Sequence, residues 1–246
     1  MKTYSSRNGL STTWEEPLVA FADAKDPLFS KLKEFVDVNH LLPNDLQAGA
    51  STVISYFLPF IKKTTLSNTD FPDASLEWAK AYMETNQLIF SLNKALAEII
   101  KQNYSEAATV PTTNFDQEKL VCDWSQKHVA YIAGLGKFGL HHMLITQKGC
   151  CGRFGSVVTT AKLKPTRRSN HEYCLYKLNG SCGICVRKCR TKALRVNGLD
   201  KKACYKECLR NAEKYRAVGM ADVCGKCVSN IPCSFTNPSK DKHPGK

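Results

Sequence analysis

The cysteines of this chain are crowded toward one end: of twelve, none precedes Cys122 and nine lie between Cys174 and Cys233. Thiols this dense serve either as a disulfide framework in an oxidising compartment or as metal ligands in a reducing one. The amino-terminal run MKTYSSRNGLSTTWEE contains no apolar stretch of the secretory kind. The greasiest segment, TVISYFLPFI at 52–61, is much shorter than the ~20 residues that cross a bilayer. The expected setting is therefore cytoplasmic, without a membrane partner, and the expected use of the thiols is metal ligation.

Spacing narrows the metal. Cys182, Cys185 and Cys189 stand as C-x2-C-x3-C, the pattern that ends the ligand run of bacterial ferredoxins, and Cys174 precedes them by a loop long enough to deliver a fourth ligand. Cys204 with Cys224, Cys227 and Cys233 makes a second group of four. In two-cluster ferredoxins the last cysteine of each run ligates the other cluster. That rule puts Cys174, Cys182, Cys185 and Cys233 around one [4Fe–4S] cluster and Cys189, Cys204, Cys224 and Cys227 around the second. Two adjacent clusters suit a relay of single electrons. A pair of four-cysteine zinc sites competes, built on the two C-x2-C pairs, but it leaves Cys189 and Cys233 less well explained. The proline that usually follows a last ligand is replaced by Arg190 and Ser234.

Cys122, Cys150, Cys151 and Cys208 have no ligand spacing among themselves and read as small core residues. Cys208 is close enough in sequence to substitute for Cys204, and the vicinal Cys150 and Cys151 could form a redox couple. The formal charge of +13 falls by about four units once two clusters of about −2 each are ligated, leaving a basic chain. Such a chain can bind polyanions or simply carry a solvated basic face.

Asp26 and Pro27, followed by Leu28, Phe29, Leu32, Phe35 and Val36, signal a first helix. Residues 52–58 suit a buried strand closed by Pro59. From Ser75 to about Gln102 the apolar residues keep a helical period, which predicts a long core helix. A helix over Gln117–Ala130 and strands at His142–Thr146 and Gly155–Leu163 follow. This alternation predicts a sheet covered by helices, an α/β or α+β sandwich over residues 1–165, then an iron–sulfur domain over 166–235 and a disordered basic tail at 236–246.

Residues 134–139, GLGKFG, match G-x-G-x-x-G, but no acid lies between Trp124 and His171 to hold a ribose, so a nicotinamide dinucleotide is rejected. Lys127, Lys137, Lys148, Arg153, Lys162, Lys164, Arg167 and Arg168 crowd that acid-free stretch, which can seat phosphates. His128, His141 and His142 show no metal-ligand spacing.

The segment AYIAGLGKFGLHHMLITQKGCCGRFGSVVTTAKL, followed by CGICVRKC and CGKC, resembles the epoxyqueuosine reductase family and its relatives the reductive dehalogenases. The resemblance covers roughly residues 45–235. It implies a nitroreductase-like cobalamin-binding sandwich joined to a ferredoxin-like domain whose two clusters reduce the cobalt. It further implies an oxidoreductase with a corrinoid near Gly134, Gly136, Gly139 and Arg153, fed by a ferredoxin- or flavodoxin-type donor and acting on a small molecule or modified nucleoside. The family's proton donor is an acid upstream of the glycine run. Here that region reads KLVCDWSQKH, so Asp123 is one candidate and Tyr131 a second. A tRNA is a further candidate partner, although no dedicated repeat domain of the family's kind is expected in this sequence. Two other classes stay open, a non-catalytic electron carrier or corrinoid-reactivating partner, and a zinc-stabilised nucleic-acid-binding protein.

Overall fold

Eight successive buried residues, Thr52–Pro59, leave room for a strand only at the centre of a sheet covered on both faces. The structure, a computed structural model describing residues 9–110 and 114–240, has this arrangement. Its elements run β1 (Leu18–Asp23), α1 (Pro27–Phe35), α2 (Pro43–Leu46), β2 (Thr52–Pro59), α3 (Lys62–Ser67), α4 (Leu76–Asn103), β3 (Ala107–Thr109), β4 (Phe115–Asp116), β5 (Val121–Cys122) and α5 (Gln126–Ile132). There follow β6 (Gly136–Phe138), β7 (Leu144–Thr146), β8 (Gly152–Thr159), α6 (Leu175–Asn179), α7 (Ile184–Lys188), β9 (Leu194–Arg195), β10 (Gly198–Leu199) and α8 (Lys201–Lys214).

The main sheet has the order β1-β2-β8-β3, every pair antiparallel, in a mixed α/β fold with three further two-stranded sheets. The register Ser55↔Ser156 places Val53, Ser55 and Phe57 on the face of Phe154 and Val158. That face packs on Phe29 and Leu32 of α1 and on Val129, Ala130 and Ile132 of α5. The opposite face, with Ile54, Tyr56, Leu58 and Val157, is covered by α4. Helix α4 starts where Ser75 caps it, its side chain accepting from Trp78 N at 3.1 Å, and α1 starts at Asp26, which accepts from Leu28 N at 3.0 Å.

Helix α4 also anchors the cysteine-rich segment, because Trp78, Ala81 and Leu88 belong to the same apolar cluster as Cys150, Cys185, Val223, Ile231 and Cys233. Polar groups complete that junction. Fully buried Asn68 donates Nδ2 to Cys224 O (2.9 Å) and Ser229 Oγ (3.0 Å), accepts from Ser75 N (3.0 Å), and its carbonyl receives Lys226 Nζ (2.8 Å).

Three expectations are corrected. The helix expected over Gln117–Ala130 begins only at Gln126: Asp116 Oδ1 accepts from Glu118 N and Lys119 N, both at 2.9 Å, and closes a turn between β4 and β5 instead. The strand expected at Gly155–Leu163 runs from Gly152 to Thr159, because its register is set by pairing with all of β2. Edge strands β1 and β3 lack a sequence pattern that distinguishes them. Within the tail expected to be disordered, Asn237 and Ser239 are buried and Ser239 Oγ donates to Glu172 O at 2.6 Å, while 241–246 lie outside the described residues. Among the described residues, no helix is long and apolar enough to cross a membrane.

Candidate metal centres and the adjoining groove

Short elements alternate with turns after Glu172, so the thiols are delivered by loop geometry rather than by long helices. Cys174 precedes α6, which ends at Gly180 in the left-handed region (φ 76°), and Cys182 follows. Cys185 lies on α7 and Cys189 just beyond it, where Leu194 N–H donates to its Sγ at 3.2 Å. Helix α8 carries Cys204 and Cys208 one turn apart. The last turn is closed by Ser234, whose hydroxyl accepts from Ile231 N (2.7 Å) and donates to Val228 O (2.6 Å); this side chain does the bracing that a proline would do elsewhere. The turn is also held from the segment just before β8. Cys150 N–H donates to Cys233 O at 3.0 Å, and Gly149, at φ +80°, lies so close that a Cβ there would fall 2.3 Å from Ser234 O.

The thiols converge in two places. Cys174, Cys182, Cys185 and Cys233 line a small cavity of about 20 Å³, beside His141. Cys189, Cys204, Cys224 and Cys227, together with Cys208, line a larger cavity of about 330 Å³. The first cavity thus gathers four of the cysteines singled out by spacing, and the second gathers the other four together with Cys208 and Cys150. Burial and neighbouring sulfurs shift several of these thiols, in both directions. Burial and then the neighbouring Cys233, Cys174 and Cys182 push the Cys185 thiol up to about 11, and burial with its sulfur neighbours also raises Cys227. Such groups become thiolates when a metal takes the proton's place. The Cys208 thiol hydrogen-bonds Cys204 and holds it down at about 7, against burial, while Cys208 itself is raised by the same bond.

The larger cavity continues over Phe60, Trp78, Tyr82 and Arg153. Arg153 stacks its guanidinium 4.2 Å from the centre of the Tyr82 ring, and its Nε has no hydrogen-bond partner among the described residues. Burial raises the Tyr82 hydroxyl to about 12. Lys127, His142, Leu199, Cys204 and Cys208 form the boundary between this cavity and an open groove of about 920 Å³. That groove presents Lys127, Lys177 and Lys201, the rings of Phe115, Phe138 and Tyr205 and, among the described residues, no aspartate or glutamate. Lys127 Nζ donates to His142 O (3.2 Å) and Lys177 Nζ to Phe138 O (2.7 Å), with desolvation pushing the Lys127 ammonium down.

The other expected site residues are dispersed. Asp123 accepts from Asn114 N at 3.1 Å at the foot of the β4–β5 hairpin, and Tyr131 packs 5.8 Å from Phe138 under Lys137; neither lines the cavity or the groove. Gly134 sits against the backbone of Thr166 and Arg167, and Gly136 lies so near β7 that a Cβ would fall 2.0 Å from Ile145 O. Gly139 lines the groove and Arg153 the cavity. Of the uncompensated cations, Arg168 pairs with Asp26 and Lys148 donates to Glu16 O at 2.8 Å.

Sequence spacing gave no signal for Tyr82, or for His141 and Cys150, which lie with Cys233 as three buried groups whose ligand atoms are within 4.8 Å of one another. Lys127 carried a weak one, as a cation in the acid-free stretch.

No family model and no curated protein matches the chain. Among solved structures, epoxyqueuosine reductase from Streptococcus thermophilus superposes with a TM-score of 0.55 at 16% identity, over 97% of this chain and 68% of that one. An epoxyqueuosine reductase in complex with an epoxyqueuosine-modified tRNA-Tyr stem loop gives 0.55 at 16% identity, over 95% and 65%. The catabolic reductive dehalogenase NpRdhA gives 0.57 at 16% identity, over 88% and 30%. The chain thus spans about two thirds of the length of the reductases and under a third of the dehalogenase. It has the fold shared by the epoxyqueuosine reductases and this reductive dehalogenase, the relatives that its glycine and cysteine motifs resemble.

Proposed function

We propose that the chain is an iron–sulfur oxidoreductase of the epoxyqueuosine-reductase type, passing single electrons through two [4Fe–4S] clusters to an acceptor held in the lysine-lined groove. The observation that carries this is the segregation of eight cysteines into two cavities, the second of which shares Cys204 and Cys208 with the groove. A carrier would need only the clusters and a docking face; an open groove against one thiol set favours an enzyme. The nitroreductase-like and ferredoxin-like arrangement, with its boundary near 165, belongs to the same proposal.

The donor set fits cubanes: four thiols at one cavity and, at the other, the four of the second set beside Cys208 and Cys150, with a backbone N–H already aimed at Cys189. A corrinoid cradled jointly by Gly134, Gly136, Gly139 and Arg153 does not fit, because those residues face different surroundings. The groove fits a large anionic ligand better: Lys127, Lys177 and Lys201 would hold its phosphate, and Phe138 and Tyr205 would flank its flat part. A corrinoid bound there would supply a strongly reducing metal centre. Lys127, half-sequestered and with its ammonium destabilised by burial, is placed to give a proton at Nζ to an acceptor gaining electrons. The acceptor's substrate class is a small molecule or a modified nucleoside, and a ferredoxin- or flavodoxin-type protein is the expected donor.

Anaerobic purification with iron, sulfide and cobalt quantification tests this directly. About eight iron and eight sulfide per chain, with two reduced-cluster EPR signals, are expected. Zinc without sulfide overturns every redox reading and leaves the zinc-stabilised alternative. Hydroxocobalamin added anaerobically should change its spectrum on binding, and an unchanged spectrum removes the corrinoid while leaving the clusters.

A further inference from the structure

His141 is 5% exposed and has no polar work in the sheet, yet both of its ring nitrogens are engaged. Met143 N–H donates to Nδ1 at 3.1 Å, so Nδ1 is the acceptor and the ring proton of the neutral imidazole resides on Nε2. Nε2 lies 3.2 Å from Cys233 Sγ. The backbone therefore fixes the tautomer that donates to sulfur. Room for the ring is provided by the last glycine of GLGKFG: a Cβ on Gly139 would stand 2.8 Å from His141 Cε1, 3.0 Å from Nε2 and 2.9 Å from Ile145 Cδ1. Cys150, buried beside Cys233, hydrogen-bonds the same sulfur.

We infer that His141 is a positioning residue that raises the reduction potential of the cluster held by Cys174, Cys182, Cys185 and Cys233, by donating Nε2–H to the Cys233 thiolate. The inference rests on the iron–sulfur reading proposed above. One-electron reduction adds a negative charge to the cluster and its sulfurs, so an N–H aimed at a ligand sulfur stabilises the reduced form more than the oxidised one. The other cluster has its own donor, Leu194 N–H to Cys189, which no side-chain substitution removes. The two potentials are thereby set independently, and Gly139 serves the cluster rather than a nucleotide phosphate.

The test is an EPR-monitored redox titration of wild type, His141→Phe and His141→Gln, each with iron and sulfide counted first. In His141→Phe one of the two midpoints should fall, with about a tenfold loss in the equilibrium constant for reduction, or ~59 mV, and the other should stay put. His141→Gln, which retains an amide donor of similar reach, should recover most of the shift. Two unmoved midpoints in a fully loaded Phe variant overturn the inference. If that variant cannot be loaded, pulsed EPR on wild type carrying 15N-histidine decides: a weak nitrogen coupling to a single reduced cluster is expected. No coupling, or the strong coupling of a directly bound imidazole, overturns the inference. Wild type without two clusters would instead refute the iron–sulfur reading on which it rests.

Discussion

Gly225 lies against the indole of Trp78, so close that a Cβ at position 225 would fall 2.5 Å from ring carbons Cε2 and Cζ2. The glycine sits at φ +71°, inside the C-x2-C pair of Cys224 and Cys227, and Trp78 is in the first turn of α4. One contact thus sets the distance between the long helix and the second set of thiols. Gly225→Ala combines a left-handed strain of about 1 kcal/mol or more with a clash against a rigid ring. It is expected to lower stability by roughly 2–4 kcal/mol and to reduce loading of that cluster alone, measured by thermal unfolding and by iron content.

The crossing of the two cysteine sets makes a distinctive prediction. Cys189 lies four residues after Cys185 but lines the other cavity, with Cys204, Cys224 and Cys227. Cys189→Ser is expected to abolish or alter one EPR signal, and Cys233→Ser the opposite one. If Cys185→Ser and Cys189→Ser affect the same signal, the sets are not interleaved.

Asn68 braces the turn that presents Cys224 from outside it. Asn68→Ala would leave Ser75 N–H without its acceptor and Cys224 O and Ser229 Oγ without their donor, all at a buried junction. A loss of roughly 2–4 kcal/mol in unfolding free energy is expected, together with faster release of iron to a chelator. Asn68→Asp should be at least as harmful, since it removes both donated bonds and buries a charge.

His128 provides a pH signature. Burial first, then the adjacent Lys127, depress its imidazole to about 4, while the unfolded chain titrates near 6.5. The unfolded state therefore binds more protons between these values, so the neutral histidine's contribution is complete above pH 6.5 and is lost as pH falls toward 4. Wild type is expected to lose stability across that window more steeply than His128→Phe, by denaturant unfolding at a series of pH values. Parallel curves would show that His128 does not cause the slope.

Lys177 and Lys201 face the acid-free groove from two different elements. Reversing either charge should weaken binding of hydroxocobalamin or of a phosphorylated ligand by about tenfold, with a shallower salt dependence than wild type. Cluster content should not change, since neither lysine lines either thiol cavity, as Lys127 does.

Elements with a strong local signature were readable before any fold was known. The capped helices at Asp26 and Ser75, the buried strand expected at 52–58 and found to include Pro59, and the gathering of thiols after Glu172 all follow from spacing or capping over a few residues. The rest depends on distant partners. β1 is a strand because β2 offers it an edge, and Gly139 is a glycine because a histidine two residues later turns back over it. Tyr82 sits in a stripe that reads as packing, and only the arrival of Arg153 from β8 gives its ring a charged neighbour in the cavity. The expectation at Asp123 failed to meet the cavity for a related reason: its carboxylate is consumed by Asn114 in a hairpin where a helix had been expected.

The backbone crossing of Gly149 and Cys150 with Cys233 and Ser234 also orders biogenesis. A nascent chain emerging from the ribosome completes its sheet with β8 and then displays three thiols of the first set, Cys174, Cys182 and Cys185, well before the fourth exists. That last thiol can be seated only when residues 233–234 dock onto a segment made more than eighty residues earlier. The two thiol sets thus close on different residues, one on Cys227 and the other on Cys233, and both only after the sheet is complete. A chain truncated after Ser229 would carry every thiol of one set and lack the fourth of the other.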